Sequence, residues 1–338
     1  MKKYDVTALG ELLVDFTMNG LSAQQNQLFE ANPGGAPCNV LAMLRKLGRK
    51  TAFIGKVGND SFGKMLKDTV NRLGINTTNL LMDDKVPTTL AFVHTASDGD
   101  RSFSFYRNPG ADMMLRAEEV DTELIADSKI FHFGTLSMTD QKIEEATRTA
   151  VAAAKNFGAL ISFDPNLRPP LWDSLDRAKE KIQYGLEQCD ILKISDDEIE
   201  FLTGTDDIDE GIERIREKYD IRLVCATMGK RGSKAYYQDI RTKCPTFLEV
   251  KTIETTGAGD TFMACVLDAV LKIGLDSFDE QSLHETLEFA NAASSIITTK
   301  KGALKVMPEK SEVLSFIAER KNKMLEMNIS LGTIESVK

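Results

Sequence analysis

The sequence predicts an α/β protein in which a mostly parallel sheet is covered by helices on both faces. Two observations carry that expectation. Short apolar runs alternate with amphipathic helical patterns for most of the length, the signature of strands buried on both sides and linked by helices. Several of the helical patterns also close on a glycine at the right distance, as Gly48 and Gly74 do. A third observation adds a smaller part. Two β-rich runs near residue 100 break the alternation and predict a hairpin outside the main pattern.

The elements follow in chain order. Strand-like runs fall at 6–9, 51–54, 129–133, 159–163, 191–194 and 222–226. Helical periodicity runs through 39–47 (Val40, Leu44, Leu47) and 62–73 (Phe62, Leu66, Val70, Leu73), and again through 140–156, 173–188 and 282–299. A further apolar helix covers Phe262, Val266, Ala269, Val270 and Ile273 and stops at Gly274. The exceptional runs are 88–95 and 101–106, joined by Ala96-Ser97-Asp98-Gly99-Asp100, with Phe103 and Phe105 on one alternating face. With 12–18 and 28–30 they suggest a small sheet standing off the main body, a candidate lid. The same periodicity also fits an edge extension of the main sheet. The stretch after Met327 has no clear period and reads as a loose tail.

Bulk properties exclude several classes. The 338 residues suffice for one large domain or two small ones, with 42% hydrophobic and 28% charged residues, ordinary for a globular chain. A net charge of −9 speaks against nucleic acid or an anionic membrane as partner. The five cysteines are scattered without a C-x-x-C pair, which fits buried thiols in a reducing compartment. His94, His132 and His284 are far apart and read as packing or surface residues. No signal-like segment or run of about 18 apolar residues is present, so a cytoplasmic protein is expected.

The chemistry concentrates in Thr255-Thr256-Gly257-Ala258-Gly259-Asp260-Thr261. Small residues before an apolar helix leave its first N–H groups open to an anion. Asp260 stands where that anion would bind. An acid there is unfavourable unless it removes a proton from an attacking hydroxyl, although an aspartate also caps helices. The segment lacks the Gly-Lys-Ser/Thr of a P-loop and the third glycine of a dinucleotide fingerprint.

Other polar segments follow predicted strands. Asp15, in Gly10-Glu11-Leu12-Leu13-Val14-Asp15, could accept two sugar hydroxyls. Asn32-Pro33-Gly34-Gly35-Ala36-Pro37-Cys38-Asn39 is a second Gly-rich turn whose bare N–H groups and Asn39 amide suit a neutral polyol, or whose Asn39 simply caps a helix. Asp164-Pro165-Asn166-Leu167-Arg168 leaves Arg168 on a loop, free to fork a phosphate or to pair with Asp164. Thr227-Met228-Gly229-Lys230-Arg231-Gly232 permits close backbone approach to a nucleotide.

In combination these segments resemble the ribokinase-like (PfkB-type) sugar kinases over roughly 6–307. Gly34-Gly35-Ala36-Pro37-Cys38-Asn39 and Thr255 to Asp260 match its two signatures. The strings Phe105 to Met113, Ser162 to Arg168 with Pro170-Leu171-Trp172, and Leu192 to Glu198 with Phe201-Leu202-Thr203-Gly204 look most like the fructokinase branch. The resemblance implies a three-layer αβα domain over 1–325, a β lid over about 12–33 and 87–110, and a tail at 326–338. It implies Asp260 as general base, with Gly257, Ala258 and Gly259 donating N–H groups to the phosphoryl group in transfer. Asp15, Gly34, Gly35, Asn39 and Arg107 would line the sugar pocket. Thr227, Gly229 and Gly232 would hold ATP, with Ala290 and Asn291 at the adenine. Arg168 would lean on the phosphates, and Glu198 would act through water on Mg²⁺. Ser195 stands where many relatives have Asn, giving Lys193 a share of the phosphate contact. Glu254 stands for the usual Asp of a monovalent-cation site, which leaves K⁺ as a second candidate ion. The implied reaction is ATP-dependent phosphorylation of D-fructose on C6. The competing readings are a kinase for 2-keto-3-deoxygluconate or ribose, with Arg107 pairing an acid sugar, and a silent sugar-binding protein. A homodimer through the lid is also implied.

Overall fold

Residues Tyr4–Leu9 (β1) and Thr51–Gly58 (β4) carry apolar side chains on both faces and are almost wholly buried, as the central strands of a parallel sheet must be. The computed structural model describes residues 2–95, 101–248 and 250–335, apart from the side chains of 94–103 and 323–335. Nine strands form the main sheet. In chain order after those two they are Asn76–Asp83 (β5), Ser128–Gly134 (β8), Leu160–Asp164 (β9), Ile191–Ser195 (β10), Leu223–Thr227 (β11), Ser233–Tyr237 (β12) and Ile240–Cys244 (β13). Their spatial order is β13-β12-β11-β10-β9-β8-β1-β4-β5, parallel from β11 to β5, with an antiparallel pair added at the β13 edge.

Two apolar layers flank the sheet. Ala36–Lys46 (α1), Ala258–Ile273 (α8) and Glu280–Ile297 (α9) cover one face, and Gln141–Asn156 (α4), Leu175–Gln188 (α5) and Ile208–Lys218 (α7) the other. Ser61–Arg72 (α2), Thr122–Ala126 (α3) and Asp196–Thr203 (α6) complete the shorter connections. All five cysteines are buried thiols, and His132 is a packing histidine bonded through Nδ1 to Ser162 Oγ at 2.8 Å. No helix among the described residues is long and apolar enough to cross a membrane.

The smaller sheet is separate and not an edge extension. Leu13–Leu21 (β2), Gln27–Gly34 (β3), Leu90–Thr95 (β6) and Arg101–Tyr106 (β7) pair in the order β3-β2-β6-β7. The turn expected at 96–100 and the side chain of Phe103 lie outside the described residues. The register puts Asp15 opposite Asn32 and Ala91, and Phe16 opposite Ala31 and Phe92, so the two faces of this sheet differ in character. Within the expected tail the structure is helical as far as Glu335, because the final helix, Lys310–Glu335 (α10), continues into it. Once a helix is seated, each further residue adds one hydrogen bond without a new nucleation cost, and Met, Leu and Glu favour the extension.

Candidate active site

A cleft of about 410 Å³ opens where β1, β9 and β10 end, between the first turns of α1 and α8 and beneath the smaller sheet. This is where parallel α/β sheets bind ligands, because the strand ends leave their loops diverging there. Its walls bring together Asp15, Gly35, Asn39, Arg168, Lys193, Glu198, Gly257, Gly259 and Asp260, residues drawn from positions up to 245 apart in the chain.

Asp260 sits in the first turn of α8, only 8% exposed. Asn39 Nδ2 donates to its Oδ2 at 2.8 Å, so the two Gly-rich segments meet directly. Burial pushes the Asp260 carboxyl up to about 6, with Asp164 adding to the rise and Asn39, Lys193 and Arg168 opposing it. Asp260 is therefore no helix cap; the cap position is Gly257, which has φ 78° and offers no side chain. Asn39 is likewise inside α1 and does not cap it. Its Oδ1 is buried with no partner among the described residues, an acceptor awaiting a donor. Ala258 departs from expectation. Its N–H donates to Thr255 O, its carbonyl accepts from Ser294 Oγ, and it does not line the cleft. The open turn is that of Gly257 and Gly259.

The opposite wall carries the cations. Lys193 Nζ lies 3.1 Å from Asp164 Oδ2, and it reaches within 3.1 Å of where a Cβ on Gly259 would stand. Burial works against its charge, but Asp164, Glu198 and Asp260 outweigh it and hold its pKa above the ordinary lysine value. Asp164 thus pairs with Lys193 and leaves Arg168, whose Nη1 donates only to Leu167 O among the described groups. Glu198 accepts N–H bonds from Leu167 and Ser195, both at 2.8 Å, one on each oxygen. That double hold fixes the carboxylate at the cleft wall and leaves each oxygen a lone pair. No group of three His, Cys, Asp or Glu among the described residues could cage a metal. The donor set therefore fits an ion carried in by phosphates and water, touching protein through one carboxylate, the habit of Mg²⁺. Glu254 is occupied: it accepts from Thr256 Oγ1 at 2.5 Å and from the Gly302 N–H at 3.0 Å.

The far end is acidic. Burial, then the charges of Glu254 and Asp260, push the Asp15 carboxyl up to about 7 against the pull of Arg168. Gly34 packs beside that carboxylate without lining the cleft. Leu13 and Phe105 from the smaller sheet close this end. Arg107 does not join them. It is 7% exposed, its Nε donates to Asp112 Oδ2 at 2.8 Å, and its other nitrogens hold Thr139 Oγ1 and Leu136 O. The guanidinium ties the foot of β7 to the main body and is absent from the pocket. Glu11, Asn166, Thr255 and Thr256, to which sequence motifs assign no role, line the cleft as well.

Thr227, Gly229 and Gly232 stand outside this cleft, around the end of β11, as does Asn291 on α9. Glycine at 232 is required by the protein itself: φ is 90°, and a Cβ would lie 2.2 Å from Cys244 O. Asn291 donates to Cys244 O and Pro245 O, shaping the loop after β13. Ala290 is buried in the α9 core.

Comparison with known proteins agrees with this geometry. The family model for pfkB family carbohydrate kinases matches residues 3–310. Fructokinase-1 of Zea mays is 40% identical over 314 residues, covering 92% of this chain and 97% of that one. Fructokinase-2 of Solanum lycopersicum is also 40% identical, covering 92% and 95%. Among solved structures, a fructokinase from Xylella fastidiosa with bound ATP superposes with a TM-score of 0.84 at 33% identity, covering 95% of this chain and all of that one. A fructokinase from Vibrio cholerae O395 in fructose, ADP and calcium ion bound form gives 0.83 at 28%, covering 94% and all of that one. With a cleft built from both Gly-rich segments and a family match over nearly its whole length, the chain belongs to the pfkB family of carbohydrate kinases.

Proposed function

We propose that the protein transfers the γ-phosphoryl group of ATP to the C6 hydroxyl of D-fructose, with Asp260 as general base. The observation that carries this is the Asn39–Asp260 pair beside the open turn of Gly257 and Gly259. Asp260 takes the proton from the attacking hydroxyl, and Asn39 holds its carboxylate in line while offering Oδ1 to the sugar. Asp15 accepts two further hydroxyls. The N–H groups of Gly257 and Gly259, with Lys193 and Arg168, stabilise charge on the phosphoryl oxygens. Glu198 would hold, through water, a Mg²⁺ arriving with ATP, and that ion would offset the charge of the phosphates. Thr227, Gly229 and the loop shaped by Asn291 take the rest of the nucleotide. The smaller sheet acts as a lid that excludes water, which would otherwise accept the phosphoryl group.

The acidic far end separates a neutral ketose from an acid sugar. An aldonic carboxylate would meet the acidic Asp15 and Glu254 there, and Arg107, which the resemblance offers as its partner, is committed to Asp112. The lid's other face carries Phe16, Phe29, Phe92 and Tyr106 in ring contact, with Met18 46% and Tyr106 66% exposed. A second copy's lid is the proposed cover, checked by sedimentation. Cytoplasmic residence belongs to the same proposal, since five unpaired thiols suit a reducing compartment. The test is ADP release with ATP and Mg²⁺ across a panel of sugars. D-Fructose is the expected preferred acceptor. Preference for an aldonic acceptor would overturn the fructose assignment, and no release with any sugar would overturn the kinase.

A further inference from the structure

We propose that Glu11 is a positioning residue: it caps α1 from outside the helix and thereby sets Asn39 against Asp260. This inference rests on the sugar-kinase reading above.

The need for such a cap arises from the local sequence. The helices α2, α4, α5, α6, α7 and α9 each begin after an Asp or Ser whose own side chain accepts a first-turn N–H. The N-cap of α1 is Gly35, which has no side chain to offer, and the first turn holds no acid. No other residue fits at 35, because φ is 129° and a Cβ would lie 2.3 Å from the Glu11 carbonyl oxygen. The close approach that forbids a local cap also brings in a distant one. Glu11 Oε1 accepts the Ala36 N–H at 2.7 Å. A carboxylate at a helix N-terminus is also favoured by the helix dipole.

The consequences run down the first turn. Pro37 packs against Gly10, where a Cβ would stand 2.5 Å from its ring, so the end of β1 and the start of α1 interlock. The Asn39 N–H closes that turn on Gly35 O at 2.9 Å, and its side chain then reaches Asp260. Among the described residues no hydrogen bond joins Glu11 to Asp260, whose partner is Asn39. The influence of Glu11 passes through Ala36 and Asn39, which a structural role spread over the whole domain would not require.

The test is a double-mutant cycle on the purified full chain. Losing a hydrogen bond to a charged group predicts that Glu11→Ala lowers kcat/KM for fructose about 10- to 100-fold. The KM for ATP should stay within about twofold, because the nucleotide contacts lie on α8 and β9–β11. Glu11→Gln keeps an acceptor for Ala36 and should recover most of the loss. In an Asn39→Ala background, Glu11→Ala should cost less than about threefold, since both act on one path. Multiplicative losses, an unaltered Glu11→Ala, or a Glu11→Gln no better than Glu11→Ala would each overturn the proposal. Should Glu11→Ala fail to fold, Glu11→Met supplies the same comparison; failure of both makes the role structural and also overturns it. A wild-type chain that phosphorylates no sugar would instead defeat the parent reading.

Discussion

Replacing Asp260 by Asn separates the proton acceptor from everything else the side chain does. The two side chains have the same shape, and an amide oxygen at 260 can still accept from Asn39 Nδ2, now at 2.8 Å from the carboxylate. What disappears is the base, whose contribution to such transfers is about 10²–10⁴-fold. Asp260→Asn is therefore expected to lower kcat by at least about 10²-fold while fructose and ATP still bind. The same exchange should make the fold more stable. Burial has moved the carboxyl from 3.8 to about 6, so at pH 8 the native state carries a charge it would rather lose. That difference of about two units corresponds to roughly 3 kcal/mol at most. Coupled ADP release gives the first quantity, calorimetry with fructose the second, and melting at pH 8 the third. Turnover within about tenfold of wild type would refute the general-base role, whatever the melting curve showed.

The remaining predictions concern charge. The rate should rise with pH through about 6, as Asp260 ionises, and Asp260→Asn should abolish that limb of the profile. Stability should run the other way: Asp15 and Glu11 are raised to about 7, so the native chain binds more protons than the unfolded one between about pH 4 and 7, and stability falls as pH rises across that window. Asp15→Asn should lift the melting midpoint at pH 8 but not at pH 4, and weaken fructose binding at both; an equal lift at the two pH values would contradict the burial argument. Asp112→Ala leaves the buried Arg107 guanidinium without its carboxylate and should cost about 3–5 kcal/mol, read from urea unfolding, an amount that a surface pair would not show. Chelation by EDTA should stop phosphoryl transfer yet leave the melting midpoint of the ligand-free protein unchanged, because the metal is proposed to arrive with ATP.

How far the sequence could be read depended on whether a residue's role was set locally. The strands β1, β4 and β8 to β11 are buried on both faces, so their apolar runs stood out. The edge strands β5 and β13, and β12 beside the latter, escape a reading by apolar runs because polar residues interrupt them, as Asn79 does in β5, Lys234 in β12 and Arg241 and Lys243 in β13. Arg107 was misplaced for another reason. Its partner Asp112 lies five residues on, inside a string already quoted, but nothing in that spacing says whether the guanidinium faces a pocket or the core. Lys193 was the converse case: a lysine inside an apolar strand had to meet a carboxylate, and it met Asp164. The clearest signal was an absence. Seven helices, α2 to α7 and α9, carry their own Asp or Ser cap, while α1 and α8 begin at Gly35 and Gly257 with none. An uncapped helix start leaves donors that something else must satisfy. At α1 it is Glu11; at α8 the proposed answer is the phosphoryl group itself, so the two gaps in local capping mark the two ends of one site.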